Sequence, residues 1–125
     1  MLDCLAEEGF RTLIDEDGDV YFKFEGGTYV LATSVEDASY FALYYLRFWP
    51  LDDAAERARA HEAAAEAHRR IRVGRITVLE DDVNASVQAY LPDGDGWRGV
   101  LLRNLTGLQA LVKAFSEQMR AQLEN

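Results

Sequence analysis

The stretch Val20-Tyr21-Phe22-Lys23-Phe24-Glu25-Gly26-Gly27-Thr28-Tyr29-Val30-Leu31 decides the fold. Val20, Phe22 and Phe24 alternate with Tyr21, Lys23 and Glu25, the period of a strand that buries one face. Gly26-Gly27 supplies a primed hairpin turn, whose positive φ angles glycine adopts without steric cost. Thr28 to Thr33 reads as the returning strand. A loop at 26–27 pairs Phe24 with Tyr29 and Phe22 with Leu31. Upstream, Phe10 to Ile14 reads as another strand, closed by the acidic turn Asp15-Glu16-Asp17-Gly18-Asp19. A loop at 16–18 with Gly18 left-handed pairs Ile14 with Val20 and Thr12 with Phe22. Both turns put Phe10, Ile14, Val20, Phe22, Phe24, Tyr29 and Leu31 on one face, and that agreement is what a foldable meander requires.

Met1 to Glu8 reads as a short helix that Gly9 stops. Val35 to Trp49 fits two patterns. Phe41, Tyr44, Tyr45 and Phe48 make a helical stripe with a Ser34/Asp37 capping box, while the aromatic density of Tyr40 to Trp49 favours a strand. Pro50 ends either one. Asp52 or Asp53 then opens an Ala-rich helix to about Arg70, with Glu56 placed for the cap and Glu66 paired with Arg70. Its stripe of Ala60, Ala64, Ala67 and Ile71 allows close approach to a sheet. Arg75 to Glu80 and Ala85 to Leu91 form a second hairpin around Asp81-Asp82-Val83-Asn84, and residues 92–96 form a loop. From Trp97 onward Leu101, Leu105, Leu108, Val112, Phe115 and Met119 mark a long amphipathic helix. The order is α-β-β-β-(β)-α-β-β-α, an α+β fold with an antiparallel sheet flanked by helices.

A chain of 125 residues fits a single domain, 1–125, large enough for a core without metal or disulfide. Its 13 basic and 22 acidic residues give a net charge of −9, which argues against nucleic acid and against anionic membrane as partners. No apolar run spans a bilayer, the N-terminal residues are unlike a signal peptide, and one cysteine makes no internal bridge, so the expected location is the cytoplasm.

No motif in the sequence carries chemistry. An EF-hand reading of Asp15, Asp17 and Asp19 would need Gly at Val20 and Glu at Gly26. Asp93 and Asp95 read as loop residues without a ligand cluster. His61 and His68 are seven apart, whereas the zinc-protease spacing is four, and position 65 is Ala65. Cys4 lies among Asp3, Glu7 and Glu8, which disfavour a thiolate. No glycine-rich cradle follows a strand and opens a helix, so the expectation is no enzyme, no cofactor and no metal.

The run Asp17-Gly18-Asp19-Val20-Tyr21-Phe22-Lys23-Phe24-Glu25-Gly26-Gly27, the aromatic strand ending Phe48-Trp49-Pro50, the Ala/Glu/Arg helix, the second hairpin and the final amphipathic helix together resemble the YbjN family. Its members are described as bacterial sensory transduction regulators, with a fold similar to type III secretion chaperones. The resemblance covers about residues 1–120 and rests on order and texture. It implies strand for Tyr40 to Trp49, a protein-binding role, frequent homodimers and no cofactor, and it transfers no functional residues. The resulting expectation is a non-enzymatic protein-interaction domain, regulatory or chaperone-like. The alternative is a small-molecule sensor with its ligand between sheet and helices. Tyr40 to Trp49 is apolar on both alternating sides, so a homodimer is expected with Tyr40, Tyr44, Leu46 and Phe48 at or near its interface.

Overall fold

A computed structural model describes residues 11–14, 16, 18–32, 40–90 and 97–124. The expected N-terminal helix, Phe10, Cys4, the Ser34/Asp37 cap and the 92–96 loop lie outside them. Six strands run β1 (Thr12–Ile14), β2 (Val20–Phe24), β3 (Gly27–Leu31), β4 (Tyr40–Tyr45), β5 (Arg75–Val78) and β6 (Val83–Tyr90). Two helices join them, α1 (Ala54–Arg70) before β5 and α2 (Trp97–Glu124) after β6. The sheet order is β1-β2-β3-β4-β6-β5 with every neighbouring pair antiparallel, so the class is α+β. Four strands form the meander, and α1 carries the chain past one position so that β6 returns between β4 and β5.

The first hairpin has the expected register, with Ile14 opposite Val20 and Thr12 opposite Phe22. In the second, the turn falls one residue earlier than expected, on Glu25 and Gly26, and Phe22 faces Tyr29 while Phe24 faces Gly27. Glu25 (φ 46°) and Gly26 (φ 84°) both take the left-handed conformation that a type I′ turn demands. Because the pairing shifts by an even number of residues, the same side chains remain on the core face. Gly27 is therefore a strand residue, and its smallness serves packing. A Cβ there would lie 3.1 Å from the Tyr45 hydroxyl and 3.2 Å from the Tyr29 ring. Gly27→Ala should lower stability by about 1–2 kcal/mol in a urea titration. An unchanged midpoint would mean that the rings yield freely.

Tyr40 to Trp49 begins as a strand and ends as one at Tyr45, four residues earlier than expected. Arg47 turns left-handed (φ 51°). Its N–H donates to Asn84 Oδ1 at 2.8 Å, and the Trp49 N–H donates to Asp82 Oδ1 at 3.2 Å. Side-chain acceptors thus draw this backbone away from the ladder. The β5–β6 turn is also displaced, occupying residues 79–82, because Val83 is fully buried opposite Val78 and Asn84 pairs with Thr77.

Asp53 caps α1, its Oδ1 accepting the Glu56 N–H at 2.7 Å, while the Glu56 carboxylate accepts the Asp52 N–H at 3.0 Å. Ala60, Ala63, Ala64 and Ala67 are buried, and α1 uses this stripe chiefly against α2 as well as against β5. Glu66 pairs with Arg69, one residue short of the expected Arg70, which reaches Glu117 on α2 instead. On α2, Leu101, Leu105, Leu108, Phe115 and Met119 are buried as the periodicity predicts, and Leu111 joins them. These residues pack with Val20, Phe22, Tyr29, Leu31, Leu43, Ile76, Val83, Ala85 and Val87, all from one face of the sheet. The described protein has two layers, with both helices on the same side.

Candidate functional site

Each end of the sheet holds a distinct group of side chains. On the helix side, aromatic rings continue from the hairpin into α2. Tyr29 stacks on Tyr45 at 4.7 Å, Tyr45 on Phe48 at 5.3 Å, and Phe115 receives Phe48 and Trp49 edge-on at 5.6 and 5.9 Å. The Arg120 guanidinium lies 6.0 Å from the Trp49 ring centre. Burial pushes the Tyr29 hydroxyl from 10.0 up to about 12, with the neighbouring Tyr45 adding to the rise and a hydrogen bond with Gln109 opposing it. The unfolded tyrosine loses its proton first, so this contribution to stability is complete below about pH 10 and is lost as pH rises toward 12. The fall in melting temperature above pH 10 should be shallower in Tyr29→Phe than in the wild type. Equal slopes would show that Tyr29 does not carry it.

Asp82 clamps the β4–α1 connection to the β5–β6 turn. Its buried carboxylate accepts the N–H groups of Val83 at 2.8 Å and Trp49 at 3.2 Å, with Arg47 Nε 3.8 Å away. Arg47 also meets Asp81 at 3.2 Å. The Asp82 carboxylate is taken up by backbone donors of the two segments it joins, which is a structural role.

The other end is different. One residue from each strand forms a row on the face opposite the helices, in the order Leu13, Tyr21, Val30, Tyr44, Ser86, Arg75. Val30 and Ser86 are buried within it, whereas Leu13, on the edge strand β1, is 76% exposed. Beside β1 lies an open, chiefly apolar cleft of about 410 Å³, whose described lining includes Arg11, Leu13, Tyr21, Phe22, Lys23 and Thr28. Neither Arg11 nor Lys23 makes an ion pair among the described residues.

Of the residues expected at a dimer interface, Tyr44, Leu46 and Phe48 have described side chains, and Tyr44 and Phe48 lie on different faces. By register Tyr44 belongs to the face opposite the helices, and its hydroxyl accepts from Gln88 Nε2 at 2.6 Å, while the Tyr40 side chain lies outside what the structure describes. Phe48 points the other way, into the aromatic column. Leu46 lies past the strand end and is partly exposed. Strict alternation would have kept Tyr44 and Phe48 together; the left-handed turn at Arg47 separates them. That β1 ends the sheet is not legible from the sequence, because Phe10 to Ile14 carries only weak alternation and sequence does not reveal which strand lies at an edge.

No family model, curated protein or solved structure matches this chain. Among the described residues, no three His, Cys, Asp or Glu side chains gather as a metal site, and no helix is long and apolar enough to cross a membrane. His61 is exposed on α1, and His68 Nε2 accepts the Ile76 N–H at 2.8 Å.

Proposed function

We propose that this chain is a non-enzymatic protein-interaction domain, regulatory or chaperone-like, of the YbjN kind and acting in a bacterial cytoplasm. The observation that carries the reading is the cleft beside β1, where apolar walls and exposed Leu13 meet Arg11 and Lys23, neither of which makes an ion pair among the described residues. A pocket for a small ligand converges polar groups on its occupant, whereas an apolar surface beside a strand edge suits an extended segment of protein. The layer between sheet and helices, where a sensed metabolite would sit, is packed with Leu105, Leu108, Leu111 and Phe115, all without solvent exposure.

The test is parallel affinity capture with the wild-type chain and Leu13→Lys, which alters an exposed position. A protein retained by the wild type and lost by the variant supports the proposal. A metabolite that raises the melting temperature, with no protein retained, overturns it in favour of a sensor.

A further inference from the structure

We infer that the pocket at the β5 end of the sheet binds a small carboxylate, a ligand site beyond the protein-interaction reading. The pocket holds about 260 Å³, and its described lining is Gly74, Arg75, Ser86 and Gln88. Register places Tyr44, Ser86 and Arg75 side by side on the face opposite the helices. Two buried polar residues occur among those described, Asp82 and Ser86. Asp82 is taken up by backbone donors, whereas the side chain of Ser86, a residue 5% exposed, has no hydrogen-bond partner among the described residues. A buried hydroxyl without a partner costs stability, and the pocket that Ser86 lines is where an acceptor reaches it. Gln88 brings a second donor group. Its Nε2 donates to the Tyr44 hydroxyl at 2.6 Å, which leaves the phenol's own O–H for an acceptor.

Charge selects the ligand. Arg75 is the charged side chain of the described lining, and it makes no ion pair among the described residues. The chain has 22 acidic residues, yet β4, β5 and β6 contain none. The acids nearest in sequence stand outside β6: Asp82 is held by the clamp, and Asp93 follows Tyr90 beyond the described residues. One guanidinium balances one negative charge, and its planar fork matches the two oxygens of a carboxylate. Phosphate carries a larger charge, which a single cation on a chain of net charge −9 holds less well. The volume falls below the range of about 300–1,000 Å³ that drug-sized ligands occupy, so the acid is compact. Five strand spacings of about 4.8 Å separate β5 from β1, so a protein seated beside β1 leaves this pocket open.

The test is a titration of the full ¹⁵N-labelled chain with sodium acetate against sodium chloride, followed by amide NMR at neutral pH and constant ionic strength. Acetate should shift the Arg75 and Ser86 amides saturably, and chloride should not. Arg75→Gln should weaken acetate binding about tenfold or more, the loss expected for a charged hydrogen bond. Ser86→Ala should weaken it less. Arg72→Gln removes the same charge from an exposed residue outside the described lining and should leave binding unchanged. Shifts that do not saturate, or that chloride reproduces, overturn the inference, as does equal weakening by Arg72→Gln and Arg75→Gln. Tighter binding of inorganic phosphate than of acetate overturns the choice of carboxylate. An Arg75→Gln variant that loses the protein captured by the wild type gives the site to that partner and overturns the small-ligand assignment.

Discussion

Phe115→Ala should cost about 3–5 kcal/mol of folding stability, the range for removing a buried aromatic ring. Phe115 has no solvent exposure and takes the edge-to-face contacts of both Phe48 and Trp49. Those two rings belong to the segment that leaves the sheet after Arg47, so Phe115 anchors that segment to α2. Its loss opens a cavity and removes two aromatic pairs, each worth about 0.5–1.5 kcal/mol beyond burial. A domain of this size has about 5–15 kcal/mol in total, so the variant should unfold at a much lower urea concentration. Phe115→Leu, which leaves a smaller cavity, should lose less. Equal midpoints for wild type and Phe115→Ala would show that the column does not anchor the segment.

Asp82→Ala should cost about 2–4 kcal/mol, because hydrogen bonds to a charged acceptor are strong and two N–H groups lose theirs together. Asp82 is 7% exposed and accepts from Val83 and Trp49. Asp82→Asn keeps an oxygen that can accept but loses the charge, so its cost should be about half as large. Arg47→Ala removes only an exposed pair with Asp81 and a longer approach to Asp82, and should cost less than about 1 kcal/mol. Urea titrations of the three variants at neutral pH check the ranking. An Arg47→Ala loss equal to that of Asp82→Ala would place the stabilisation in the ion pair instead of the backbone clamp.

The sequence made the meander legible because two tight turns report register directly, and hydrophobic alternation names the buried face. It did not distinguish Glu25-Gly26 from Gly26-Gly27 as the turn. Either choice leaves Phe22, Phe24, Tyr29 and Leu31 on the same face, and what separates them is the space that Tyr45 needs above Gly27. The end of β4 was hidden for a related reason. Leu46 to Trp49 looks like more strand, but the acceptors that pull it away, Asp82 and Asn84, are more than thirty residues distant. The long helix was read almost fully, since a stripe such as Leu101, Leu105, Leu108 depends only on local spacing. Tyr44 and Phe48, expected on one side of a continuous strand, part because the backbone turns left-handed at Arg47 between them.

Hydrogen–deuterium exchange on the full chain, with and without the protein it captures, tests the central claim most directly. Binding in the cleft beside β1 predicts that amides in residues 12–14 exchange more slowly when the captured protein is present, while those of β5 at the opposite edge do not change. Exchange in β1 that the captured protein leaves unaltered, with protection appearing instead over Tyr40–Tyr45, would contradict the account.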